Sequence, residues 1–265
     1  MTTTVIGALV RRDARIATSY RLSFALELFF GVLDLVLYFF ISRTFAGLGS
    51  TNLGAAPTYF AFAVVGIVIA AVLTATSSSV SYRIRDEQVT GTLEALAASP
   101  ATSFEVCVGL VGFPFAFALA RAGLYLALAA TVMDLDVSRA DWFGLGLIML
   151  ATGAAIAPIG ILAGAAALTI KRGHVFSATA VILMTIVGGM VFPVAVLPDW
   201  LEWVSRLSPL RYAFDGARDA VFAGNGWGLE VLVLCAIALA LWPIALALFS
   251  KSLGLARKRA TLAEF

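Results

Sequence analysis

Long apolar runs separated by short polar ones dominate the chain. Six of them, at about 23–43, 58–80, 105–132, 142–169, 174–196 and 229–250, reach the roughly 20 residues a helix needs to cross a bilayer. None alternates with the period of two that a membrane β-strand requires. The pattern predicts an all-α polytopic membrane protein, six transmembrane helices in a single transmembrane domain. Pro114, Pro158 and Pro243 fall inside predicted spans, which membrane helices tolerate. Gly160 and Gly164 form a small-xxx-small pair, the spacing at which two helices pack closely.

Three further segments are patterned without being long enough, or apolar enough, to cross. In residues 4–21, Ile6, Leu9, Ile16, Ala17 and Tyr20 fall on one helical face, with Arg11, Arg12, Asp13 and Arg15 assigned to the other. That predicts an amphipathic helix lying in the cytoplasmic interface. In residues 84–98, Val89, Leu93 and Leu96 recur at i, i+4 and i+7 around a Gly91–Glu94 start, and Ser99-Pro100 stops the run. A short cytoplasmic helix with an exposed apolar face suits a groove on a partner. In residues 190–228, Pro193 and Pro198 break the fifth span near its outer end. Two short outer helices at 198–222 then follow, partly dipping into the membrane, with Trp200 and Trp203 at headgroup depth; with Pro193, Pro198 and Tyr212 they are expected to form an outer gate, a lid or lateral exit.

Composition makes the membrane reading firm. Hydrophobic residues are 61% of the 265 and charged residues 13%, with a mean hydropathy of +0.98. A soluble domain carries about 25% charged residues. The net charge of +2 gives no reason to expect nucleic acid. Cys107 and Cys235 lie in apolar runs, and His174 is the single histidine, so neither a metal centre nor a disulfide framework is expected.

The placement of charge says more than its sum. Arg11, Arg12, Arg15, Arg21, Arg83, Arg85, Lys171, Arg172, Lys251, Arg257, Lys258 and Arg259 fall on one side of the predicted spans, against Arg43, Arg139, Arg206, Arg211 and Arg218 on the other. The excess predicts that both termini are cytoplasmic. No signal peptide is expected in the first 20 residues; arginine outnumbers lysine 15 to 3, a usage that suggests a GC-rich bacterial genome, and the expected location is the bacterial plasma membrane. Inside the spans, Glu27, Asp34 and Arg121 are the costly charges. Glu27 and Asp34 share a helix face. Matching depth favours pairing of Arg121 with Asp34, with Glu27 the alternative, either to fix packing or to form a polar patch on a cargo path.

At this point the chain resembles the ABC-2 type exporter permeases. The resemblance rests on Asp86-Glu-Gln-Val-Thr-Gly-Thr-Leu-Glu94 in the first cytoplasmic loop. It rests also on Phe192-Pro-Val-Ala-Val-Leu-Pro-Asp-Trp-Leu201, Ser208-Pro-Leu-Arg-Tyr212 and Ala217-Arg218 before the last span. It implies a coupling helix that sits in a cleft of a separate ATP-binding subunit, a role falling to Arg85, Glu87, Gly91, Thr92, Leu93 and Glu94. Lys171 and Arg172 would make a second, weaker contact. The acidic Asp86-Glu87 pair departs from the family, where arginine is often mixed in.

The resemblance further implies two ATP-binding subunits per complex, a second permease (another copy or a similar chain) and contact with membrane lipids. No P-loop occurs in the chain, so no cofactor is expected on it, and ATP and Mg would sit on the partner. Catalytic residues are not expected: there is no Ser–His–Asp set and no Gly-x-Ser-x-Gly elbow. The loop of binding-protein-dependent importers is absent too, which favours export. Phe, Leu, Val and Ala line the spans, which suits a hydrophobic or amphipathic cargo such as a drug, antibiotic or lipid. Two competing readings are an ion-coupled transporter built on Glu27, Asp34 and Arg121, and a membrane enzyme or assembly factor, which lacks a catalytic set.

Overall fold

A computed structural model of the chain describes residues 2–19, 21–45, 53–89, 102–169, 179 and 182–258. These residues form helices and, among them, no strand. In chain order they are α1 (Thr2–Ser19), α2 (Arg21–Phe45), α3 (Tyr59–Val89), α4 (Ser103–Val132) and α5 (Trp142–Thr169). Helical residues 182–187 follow, then a 3-10 turn at Val194–Val196, α6 (Asp199–Leu207), α7 (Pro209–Arg218) and a π-turn at Asp219–Ala223. Helix α8 (Gly228–Lys258) comes last. Five helices are long and apolar enough to span a membrane: Ala25–Thr44, Tyr59–Ser77, Ser103–Val132, Trp142–Ala166 and Gly228–Ser252. Much of the predicted fifth span, 174–196, lies outside the described residues.

Two predicted boundaries move. The helix of the fifth span stops at 187, not 196. Gly189 takes φ +84, a left-handed conformation that ends helices and that side chains with a Cβ resist. The break therefore precedes Pro193 and Pro198 by one turn or more. The second span also runs on: α3 continues without a breaker to Val89, so residues 84–89 are its last turns and do not open a separate helix. Residues 90–98 lie outside the described residues.

Helix α3 is the centre of the bundle. Its residues 60–69 are all buried, and α2, α4, α5 and α7 pack around it. Helix α8 packs on α5, and α1 packs on α4. We call the end that carries α1 and the finish of α8 the near end, and the other the far end. Helix α4 starts at the near end with a reciprocal cap. The Thr102 hydroxyl accepts from Glu105 N–H (3.2 Å), and the Glu105 carboxylate accepts from Thr102 N–H (2.7 Å). Asp141 fastens the far end. Its Oδ1 accepts from Gly144 N–H to cap α5, its Oδ2 accepts from Trp227 Nε1 (2.9 Å), and its own N–H donates to Ala220 (2.8 Å).

Gly160 is in intimate contact with α3, where an added Cβ would press on the carbonyls of Thr76 and Ser77. The same helix shows how a proline is accommodated. Pro158 has no N–H, which frees the carbonyl of Ala154 one turn back. Trp242 of α8 donates its indole N–H to that carbonyl at 3.0 Å. Hydrocarbon offers no water to do the same.

This joint makes a double-mutant prediction. Trp242→Phe strands the Ala154 carbonyl and should cost about 1–3 kcal/mol. Pro158→Ala restores an intrahelical donor, so Trp242→Phe in that background should cost less than half as much. Thermal unfolding in detergent of the four proteins of the cycle measures the coupling.

Candidate functional site

Three arrangements place functional side chains. The first is at the near end. The i, i+4 spacing from Leu9 puts Asp13 in the seam of α1 that packs against the bundle, not on its polar face as the residue type suggests. Its side chain is fully buried, accepting from Arg83 Nη1 at 2.7 Å and from Arg12 Nε at 3.2 Å. Oδ2 has no partner. Arg83 lies near the end of α3, so this pair ties the interfacial helix to the helix that leads into residues 90–98. Of the predicted coupling residues, Arg85 and Glu87 are on the last turns of α3, but their side chains are outside the described residues. Gly91, Thr92, Leu93, Glu94, Lys171 and Arg172 lie outside the described residues altogether.

The second arrangement is the intramembrane ion pair. Arg121 of α4 donates to Glu27 of α2 at 3.1 Å, and not to Asp34 as matched depth predicts. The register of the two helices explains the change. Gly31 of α2 lies directly against the ring of Tyr125, where any Cβ would meet the phenol. Helices α2 and α4 run in the same direction through the bundle. One turn nearer the near end, at i−4 on each helix, stand Glu27 and Arg121. The Tyr125 hydroxyl also donates to the Glu27 backbone carbonyl at 3.4 Å. Asp34 sits two turns farther along α2, exposed and with no ion pair among the described residues.

The third arrangement is a cavity of about 320 Å³ between α3 and the fifth span. Its wall is apolar except for Thr74 and Thr185, and Met190, Val191 and Phe192 close it towards the far end. Above it, α6 and α7 form a corner. Pro193 precedes the 3-10 turn and Pro198 starts α6. Ser208 caps α7, with Pro209 in its first turn. Tyr212 donates to the Arg206 carbonyl at 2.9 Å, which holds the two helices together. Trp200 and Trp203 point outward, about two-thirds exposed.

A residue not singled out as a site joins corner and cavity. Arg218 is 3% exposed. Its Nη2 donates to the carbonyls of Gly189 (2.8 Å), Met190 (3.2 Å) and Phe62 (3.4 Å), and its guanidinium lies 3.4 Å from the centre of the Phe62 ring. Burial pulls its pKa down, to about 10, so it stays charged at neutral pH. The signal was available in the spacing. Leu210, Phe214, Ala217 and Val221 form the buried face of this segment, and Arg218 falls among them at i+8 from Leu210.

Comparison with known proteins now decides the class. A model of the family described as ABC-2 type transporter matches residues 4–222. The chain belongs to that family. It is similar to the inner membrane transport permease YadH of Escherichia coli (strain K12), 24% identical over 224 residues, covering 80% of this chain and 84% of that protein. It is similar also to nodulation protein J of Sinorhizobium fredii (strain NBRC 101917 / NGR234), 28% identical over 204 residues, covering 76% and 74% of the two. Nodulation protein J of Neorhizobium galegae is 26% identical over 235 residues, covering 86% and 84%. This ABC-2 permease is therefore the membrane-spanning subunit of an ABC transporter, a family that works with separate ABC ATP-binding subunits.

Within the ABC-2 permease, the Glu27–Arg121 pair predicts the outcome of charge exchange. Glu27→Arg or Arg121→Glu alone leaves two like charges in contact and should cost at least about 2.5 kcal/mol. The double exchange should recover most of that. Asp34→Asn should leave thermal stability in detergent within about 0.5 kcal/mol of the parent. An Asp34→Asn loss as large as that of either single reversal would show that the pair is wrongly assigned.

Proposed function

We propose that this ABC-2 permease exports a hydrophobic or amphipathic molecule, a drug, antibiotic or lipid, from the cytoplasm or inner leaflet. In this reading it works in a bacterial plasma membrane with both termini cytoplasmic. The near end is the cytoplasmic one, and the excess of Lys and Arg among its flanking segments supports that. One relative is named an inner membrane transport permease, which agrees.

The observation that carries the cargo class is the cavity. A wall of Leu73, Ile182, Ile186, Met190 and Phe192, with only two threonine hydroxyls, offers apolar contact and few hydrogen-bonding partners. A polysaccharide would leave many hydroxyls unpaired there. The cavity is also open on one side, where a second permease, a copy or a similar chain, would complete it. Two ATP-binding subunits would supply ATP and Mg at the cytoplasmic face, and this chain would hold neither.

Energy would enter through residues 84–98. The apolar positions Leu93 and Leu96, beyond the end of α3 at Val89, have no role in a loop that only connects two spans. Arg85, Glu87, Gly91, Thr92 and Glu94 would make the polar contacts, and Lys171 with Arg172 the second one. The Asp13–Arg83 pair supports this route, since it anchors the helix leading into the segment. The ion-coupled alternative loses support from the same structure: Glu27 and Arg121 neutralise each other. The exposed indoles of Trp200 and Trp203 would set the outer corner at headgroup depth.

Two outcomes test the reading. Single cysteines at 92–96 should crosslink to the ATP-binding subunit of the purified complex. Glu94→Lys should uncouple, lowering export in vesicles at least tenfold while basal ATP hydrolysis and membrane insertion persist. No crosslink at any of those positions, together with unchanged export after charge reversal, overturns the coupling assignment. Trp200→Ala with Trp203→Ala should reduce export severalfold with the complex still assembled.

A further inference from the structure

The turn from Gly188 to Phe192 is the roof of the cavity, and three contacts hold it down. Gly189 carries the left-handed bend. Gly66 of α3 has no side chain, and a Cβ there would run into the Met190 carbonyl, so the roof rests on the α3 backbone itself. The third contact is Arg218, whose Nη2 bonds the Gly189 and Met190 carbonyls. Both carbonyls lie in the turn beyond the helix end at 187, and one guanidinium satisfies the two of them.

As a purely structural clamp this is a costly choice. The cation is buried and its Nε has no partner, so desolvation offsets part of what its bonds to the roof contribute. What an arginine adds is a bond that can be exchanged. Asp215 stands one turn back on α7, with Oδ1 3.6 Å from Arg218 Nη1 and its side chain about half exposed. The guanidinium thus bridges two sets of acceptors: Nη2 is on the roof carbonyls, while Nη1 already faces the Asp215 carboxylate, which Arg211 Nε also approaches at 3.7 Å.

We propose that Arg218 is the latch of the cavity roof. With Nη2 on Gly189 and Met190 the roof is shut. When Nη2 leaves those carbonyls and the guanidinium stays with Asp215 alone, the 188–192 turn lifts from Gly66, and the cavity opens to the far end. Arg218 is a positioning residue in this scheme; it touches the roof and not the cargo. The scheme rests on the exporter reading for its direction, because opening at the far end is what releases cargo outward.

The test needs neither cargo nor ATP. In the full chain with Cys107→Ala and Cys235→Ser, Thr185→Cys places a thiol in the cavity below the roof. Intact cells and inverted vesicles are treated with a membrane-impermeant maleimide, and labelling rates are compared. Ser138→Cys, exposed on the far-end loop, reports which face is outside and serves as the rate control. Arg218→Met keeps the side-chain volume and removes every bond to the roof. It should raise labelling of the cavity thiol from the Ser138 side at least tenfold, with Ser138→Cys unchanged. Arg218→Lys, which keeps a cation and donors, should bring the rate back towards the parent.

An Arg218→Met rate within twofold of the parent overturns the latch. Should Arg218→Met fail to insert, Arg218→Gln is read by the same criterion, with a severalfold rise expected. Loss of both from the membrane assigns Arg218 to folding and also overturns the latch. Failure of the exporter reading would appear in the crosslinking to the ATP-binding subunit instead.

Discussion

Hydrocarbon has no water to take a backbone hydrogen bond, and the whole molecule is arranged around that fact. It makes the chain helical, and it turns every break in a helix into an obligation. The break at Pro158 is met by the indole of Trp242 reaching across from α8. The break at Gly189 is met by the guanidinium of Arg218 reaching across from α7. In each case a side chain on one helix completes the backbone of another. The bundle is joined where its helices are imperfect.

The second ordering element is close approach. Lipid tails are as apolar as the helices, so burial alone does little to choose a register between them. Gly31 against Tyr125 does choose one, and it carries the charges with it: Glu27 meets Arg121 because both sit one turn from that contact. Gly66 does the same for the cavity roof by letting the Met190 carbonyl rest on α3. Helix α3 stands at the centre of this packing. It is packed on four sides, borders the cavity, and leads at its near end into the segment assigned to energy coupling.

Two ends of one helix are thus connected to different tasks. At the near end Arg83 is held by the buried carboxylate of Asp13, which ties α1 to α3. At the far end Phe62 lies beneath Arg218, so α3 and the roof share a contact. A displacement of α3 along its axis, driven from residues 90–98, would reach the roof through a rigid helix. Under the proposed function, that rigid helix would be the route by which a partner at the near end acts on the roof.

Apolar runs of about 20 residues are visible in one dimension, and so the class, the helices and the two short far-end helices were legible in the sequence. Motifs in residues 86–94 and 192–218 likewise carried the family resemblance without any structure. Side-chain partners were not legible in the same way. Depth counted along each span paired Arg121 with Asp34, because counting assumes that helices start level. Residue type put Asp13 on a polar face, although its spacing of one turn from Leu9 placed it in the seam. Pro193 and Pro198 looked like the end of the fifth span, yet the left-handed Gly189 had already ended it. Helix formation is a local matter settled by i to i+4 bonds, which the sequence encodes directly. Which helices touch, and at which turn, depends on small residues meeting large ones across the bundle, and only the tertiary structure decides that.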